Sequence, residues 1–218
     1  MRNARLVLAT DLVGVFVAAL NGALVACRKR DFDLVGVLSV ALATGLGGGL
    51  MRDTLLEQGP PLALRIDSYL FVAGVGGLMG FFFGRRIASS ALGPRVDAAI
   101  KYTDALTLGN FAVSSTILAL NANLSASACF LVGIIGASGG GVLRDLLTSE
   151  RISVFVHGEL YATAAGAASA TTLVLVLALN QTPVFSAALG WLVGISVRVL
   201  ALLFKWKGPL PLGEPPRS

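Results

Sequence analysis

Two short stretches carry the residues that could do chemistry. "GLGGGLMRDTLL" places Gly47, Gly48 and Gly49 just before Arg52 and Asp53, and "ASGGGVLRDLL" places Gly139, Gly140 and Gly141 just before Arg144 and Asp145. No nucleophile–base pair, HExxH or GxSxG motif accompanies them, and the one histidine, His157, reads as a loop residue, so an enzyme is not expected. Permissive backbone beside a charged pair suits ions or a small solute moving past exposed carbonyls.

The two stretches belong to a longer repeat. Residues 47–74 aligned on 139–166 are identical at nine of 28 positions, including the glycine triplets, Arg52/Arg144, Asp53/Asp145 and Tyr69/Tyr161. Asp11 and Asp104 match at an offset of 93, one residue more than the 92 of the glycine element. Glycines in such a chain could align by chance, but Arg-Asp and Tyr together would not.

Composition says what positions these residues. Of 218 residues 55% are hydrophobic and 13% charged, and mean hydropathy is +0.80. A soluble domain carries about 25% charged residues, so this is an integral membrane protein. A net charge of +5 fits loops beside an anionic leaflet better than nucleic acid, for which no basic-aromatic patch exists. Cys27 and Cys129 read as packing residues, since no CxxC or Cys/His cluster exists.

Seven apolar runs are long enough to span, at about 20 residues per helix: residues 7–27, 34–51, 66–84, 102–120, 126–143, 160–180 and 184–204. The fold class is therefore an all-α membrane protein, one transmembrane domain over 1–204, with a disordered cytoplasmic tail at 205–218. Helices 1–3 (about 7–84) and 4–6 (about 102–180) are the two repeats. Three helices per unit make the second copy inverted, and a seventh helix is left over. Twelve basic residues lie in the loops of one side against four on the other, which puts the N-terminus outside and the C-terminus in the cytoplasm.

Gly48 and Gly140 each lie 14 residues into their helices, about 21 Å along, from opposite sides. Each glycine weakens a helix by about 1 kcal/mol relative to alanine, so both triplets read as helix breaks lining a pathway. Close packing through small residues is the competing reading. Arg52-Asp53 and Arg144-Asp145 are either local ion pairs at helix ends or charges that gate the path or tune its selectivity. Asp11 and Asp104 read first as acidic residues at helix starts, or as attractors of cations at each mouth. Ser114 and Ser115 could lend hydroxyls to a pore. Lys101 and Arg198 are expected to snorkel to the cytoplasmic surface, Tyr69 and Tyr161 to anchor helices, and Asn21 and Asn110 to bond between helices.

Seven helices, a 3+3+1 inverted repeat and a "GGGxxRD" element in the second and fifth helices resemble the trimeric intracellular cation (TRIC) channel family, in its prokaryotic branch. The resemblance covers about residues 7–204. It implies a homotrimer with a pore inside each protomer, passing potassium and also sodium, lined by the second and fifth helices at Gly47–Gly49 and Gly139–Gly141. It implies no cofactor beyond permeant ions and membrane lipid, and a prokaryotic plasma membrane location. Bacterial relatives are also described as glycine transporters, so a secondary carrier of a small solute is the alternative function.

Overall fold

The computed structural model describes residues 2–29, 31–88, 93–155 and 160–206. The expected loop role of His157 and the expected disorder of the tail at 207–218 lie outside the described residues. These residues form seven long helices and one single-turn helix, with no strand among them: α1 (Arg2–Ala26), α2 (Leu34–Leu56), α3 (Leu62–Arg65), α4 (Asp67–Ala88), α5 (Gly93–Asn121), α6 (Ala126–Leu147), α7 (Tyr161–Leu173) and α8 (Pro183–Phe204). A π-helical turn, Val174–Ala178, extends α7. Six helices are long and apolar enough to cross a membrane; α5, which carries Lys101 and Asp104, is the seventh long one.

Local sequence explains several helix starts. Asp33 caps α2 by accepting from the Gly36 N–H at 2.8 Å. Ser125 caps α6 and Thr182 caps α8, where Pro183 occupies the first turn and loses no bond by lacking an N–H. Bulky apolar side chains on α4 and α8, among them Phe71, Phe82, Leu192 and Leu203, point outward, as lipid-facing surface requires.

The centre is built from small residues. Ala19, Ala23, Ala41, Ala73, Ala165 and Ala168 are buried together in one cluster, which lets helices approach closely where lipid supplies no hydrophobic drive between them. α2 packs on α6 at the middle, α1 packs on α2, α4 and α5, and α8 packs on α5 and α7.

Three expectations need correction here. The glycine triplets do not break their helices: α2 and α6 are helical throughout. Glycine permits a break without imposing one, and here its missing Cβ is used for contact. Asp11 and Asp104 are not helix-start residues. α1 begins at Arg2 and α5 at Gly93, so both acids sit in mid-helix. Arg198 does not snorkel: it is 2% exposed, and its guanidinium lies 4.9 Å above the Tyr161 ring. The loop between the second and third predicted helices also contains the extra turn α3.

Candidate functional site

The α2–α6 crossing is the mechanical centre. A methyl group at Gly48 would overlap the carbonyl oxygen of Gly136, and one at Gly140 would overlap that of Thr44. Gly136 is Thr44 shifted by 92, so the two contacts are one contact written twice. A Cβ on Gly47 would come within 2.5 Å of Leu143, and one on Gly139 within 2.6 Å of Met51, again equivalent pairs. Thr44 approaching Gly140 while Gly48 approaches Gly136 means that the helices run antiparallel. Gly49 and Gly141 face elsewhere: a Cβ on Gly49 would lie 3.7 Å from the Arg52 guanidinium, and one on Gly141 3.1 Å from the Tyr161 hydroxyl and 3.8 Å from the Arg144 guanidinium. The first two glycines of each triplet thus make room for the opposing helix, and the third for side chains of its cage, Arg52 at Gly49 and Tyr161 with Arg144 at Gly141.

Each arginine sits in a cage of acids. Arg52, 1% exposed, donates from Nε to Asp53 at 2.7 Å and places Nη1 3.9 Å from Asp11. Asp11 accepts the Tyr69 hydroxyl at 2.7 Å and the Ser114 hydroxyl at 3.3 Å. Asp53 also accepts the Leu62 N–H at 2.8 Å, which fastens α3 to the end of α2. The second cage repeats the plan. Arg144 donates from Nε to Asp145 at 2.9 Å and from Nη1 to Asp104 at 3.0 Å. Asp145 accepts the Ser153 N–H and hydroxyl, both at 2.9 Å.

The equivalence is not complete. Arg144 also donates to the Asn21 side-chain oxygen at 3.2 Å, and Tyr161, whose hydroxyl bonds to Asp104, also lies under the Arg198 guanidinium. A buried arginine without such partners would be a large penalty in hydrocarbon. Paired and hydrogen-bonded acids make it tenable and fix its position.

The cages lie toward opposite faces. Asp11 and Asn21 are ten residues apart on α1, about 15 Å along the axis, and each belongs to a different cage. The Lys29–Glu150 ion pair ties the end of α1 to the end of α6 on the face nearer the Arg144 cage. A small pocket opens beside the other cage, lined by Asp11, Gly45, Gly49, Arg52, Asp53, Tyr69 and Phe111 among others.

The site residues expected from sequence divide into three groups. Arg52, Asp53, Asp11 and Ser114 meet in one cage; Arg144, Asp145 and Asp104 meet in the other; the glycines separate them. Ser115 belongs to neither. It is buried with its hydroxyl lacking a hydrogen-bond partner, packed on the backbone of Gly136. Asn21 and Asn110 do bond between helices, to Ile100 O at 2.9 Å and Thr10 O at 3.2 Å. Cys27 and Cys129 are buried and form no disulfide among the described residues. Gly136 is not singled out by the sequence, and Arg198 reads there as a surface residue. Gly136 could have been found as the repeat counterpart of Thr44; Arg198, on the helix outside the repeats, had no counterpart to flag it.

Known proteins resemble this chain over most of its length. A family model described as Glycine transporter matches residues 8–85 and 101–177, the two segments that each hold one GGGxxRD element. A UPF0126 membrane protein of Deinococcus radiodurans is 39% identical over 189 residues, 86% of this chain and 84% of the relative. The UPF0126 inner membrane protein YadS of Escherichia coli is 33% identical over 71% of each chain. Among solved structures, one described under conductance through TRIC cation channels superposes with a TM-score of 0.83 at 31% identity, covering 95% of this chain and 98% of that one. The TRIC channel orthologue from Rhodobacter sphaeroides gives 0.83 at 27% identity, covering 92% and 99%.

Proposed function

The chain belongs to the TRIC family, whose sequence model is described as Glycine transporter, and from that premise we propose that it conducts monovalent cations along a path inside each protomer. The observation that carries this reading is the pair of buried Arg–Asp cages at opposite ends of the α2–α6 crossing. A solute passing beside that crossing meets a charged constriction near each face. Acids in both cages outnumber the arginine they hold, Asp11 and Asp53 around Arg52, Asp104 and Asp145 around Arg144, which favours cations over anions. Potassium, with sodium also permeant, is the expected ion class, and the assembly a homotrimer. A relative described as trimeric supports that assembly.

Matching contacts at an offset of 92 across antiparallel α2 and α6 support an inverted repeat with an axis in the membrane plane. The location is then a prokaryotic plasma membrane, with the N-terminus outside. The Lys29–Glu150 link supports the orientation by gathering the basic end of α1 and the end of α6 on one face.

The glycine crossing leaves no gap between α2 and α6. That favours, as a second reading, a carrier of a small solute such as glycine, which needs a closed barrier in every state. Proteoliposomes loaded with potassium decide between them. A channel empties them faster than any carrier cycle allows. A carrier takes up labelled glycine saturably and leaks little potassium, and that outcome would replace the channel reading.

A further inference from the structure

The acids and the arginines of the two cages ride on different helix pairs. Arg52 and Arg144 belong to α2 and α6, locked at their glycine crossing. Asp11 and Asp104 belong to α1 and α5, which are laced to each other at both ends. Ser114 on α5 donates to Asp11 at 3.3 Å, and Asn110 donates to the Thr10 carbonyl at 3.2 Å. Ten residues further along α1, Asn21 donates to the Ile100 carbonyl at 2.9 Å while its oxygen accepts from Arg144 at 3.2 Å. Asn21 and Ser114 stand at equivalent places, each ten residues after the acid of its own repeat.

We propose that α1 and α5, laced by Asn21 and Ser114, slide as one body against α2 and α6, so that the two cages close alternately. The cages are built from equivalent residues on oppositely directed helices. A slide that lengthens one Arg–Asp gap therefore shortens the other. The structure has one long gap, Arg52 to Asp11 at 3.9 Å, and one short gap, Arg144 to Asp104 at 3.0 Å. At the long gap Tyr69 has taken the carboxylate at 2.7 Å, and a pocket opens beside it. At the short gap the arginine holds the acid. A shift of about 1 Å suffices to exchange the two, since N–H···O hydrogen bonds span only about 2.7–3.2 Å. Asn21 and Ser114 are positioning residues here: each acts on the cage acids and arginines, and neither need touch the solute. The functional consequence, a gate at each face with opposite phase, rests on the proposed path; the slide itself does not.

Two backbone amides report the cages: Leu62 N–H, held by Asp53, and Ser153 N–H, held by Asp145. Hydrogen exchange at both is measured in the full chain in lipid nanodiscs. Asp104→Asn weakens the closed cage without removing an arginine. Ser153 is expected to exchange at least about threefold faster and Leu62 correspondingly slower, as α1 and α5 shift to close the first cage. Asp11→Asn leaves Ser153 slowed and Leu62 accelerated. Adding Asn21→Ala and Ser114→Ala abolishes the reciprocal response, and Ser114→Thr, which keeps the hydroxyl, preserves it. Acceleration at both amides, no change at the distant one, or a response that survives unlacing overturns the proposal. A wild-type protein that passes no cation removes the channel reading and leaves the exchange result to judge the slide alone.

Discussion

The Arg198 guanidinium stands 4.9 Å above the ring of Tyr161, whereas the equivalent tyrosine, Tyr69, has its hydroxyl 2.7 Å from Asp11. One helix outside the repeats thus makes two equivalent tyrosines unequal. Tyr69→Phe removes a hydrogen bond to a buried carboxylate and should cost about 1.5–3 kcal/mol. Tyr161→Phe loses the hydroxyl's bond to Asp104 but keeps the ring under Arg198, and should cost less. Thermal unfolding midpoints in one detergent compare them; equal losses would mean that the tyrosines do the same work.

The arginines should be unequal too. Removing either strands buried acids, a loss of about 3–5 kcal/mol. Arg144 has three partners within 3.2 Å, Asp145, Asp104 and Asn21, while Arg52 has one that close, Asp53. Arg144→Gln should therefore lower the denaturation midpoint more than Arg52→Gln, read from monodisperse protein on size exclusion after graded heating.

Within each triplet the glycines should respond differently. Gly48→Ala and Gly140→Ala drive a methyl into a backbone carbonyl and should cost about 1–3 kcal/mol or more. Gly49→Ala meets only the Arg52 guanidinium, at 3.7 Å, and should be close to neutral. Gly74→Ala has open space and gains helix propensity, up to about 1 kcal/mol. Uniform loss at all four positions would contradict the close-contact role of the middle glycine.

A Cβ at Gly136 meets the Ser115 side chain, and Ser115 has no hydrogen bond to lose. Gly136→Ala should destabilise, and Ser115→Gly should restore part of the loss, with a coupling of about 1–2 kcal/mol in a double-mutant cycle. Additive effects would show that α5 does not press on α6 at this point.

Much of this was legible from residue spacing. The offset of 92 paired Arg52 with Arg144 and Tyr69 with Tyr161, and the offset of 93 added Asp11 to Asp104, so nearly every cage member was in hand before any fold. Their grouping was not, because it depends on which helix faces which. The triplets read as breaks because helix propensity describes an isolated helix, while these glycines are set by the helix packed across from them, Gly48 by Gly136 and Gly140 by Thr44. Asp11 and Asp104 read as helix starts because hydropathy marks only the apolar part of a helix, and α1 and α5 continue beyond it. Arg198 was placed at the surface by its position near a helix end; the tyrosine that holds it inside comes from another helix.

Single-channel recording of the purified protein in planar bilayers, under a potassium chloride gradient, tests the cation path most directly. Discrete unitary currents reversing toward the potassium equilibrium potential are predicted, with Gly48→Leu abolishing them in protein that still assembles. A silent bilayer over a wide voltage range, from protein that takes up glycine saturably into liposomes, would contradict it.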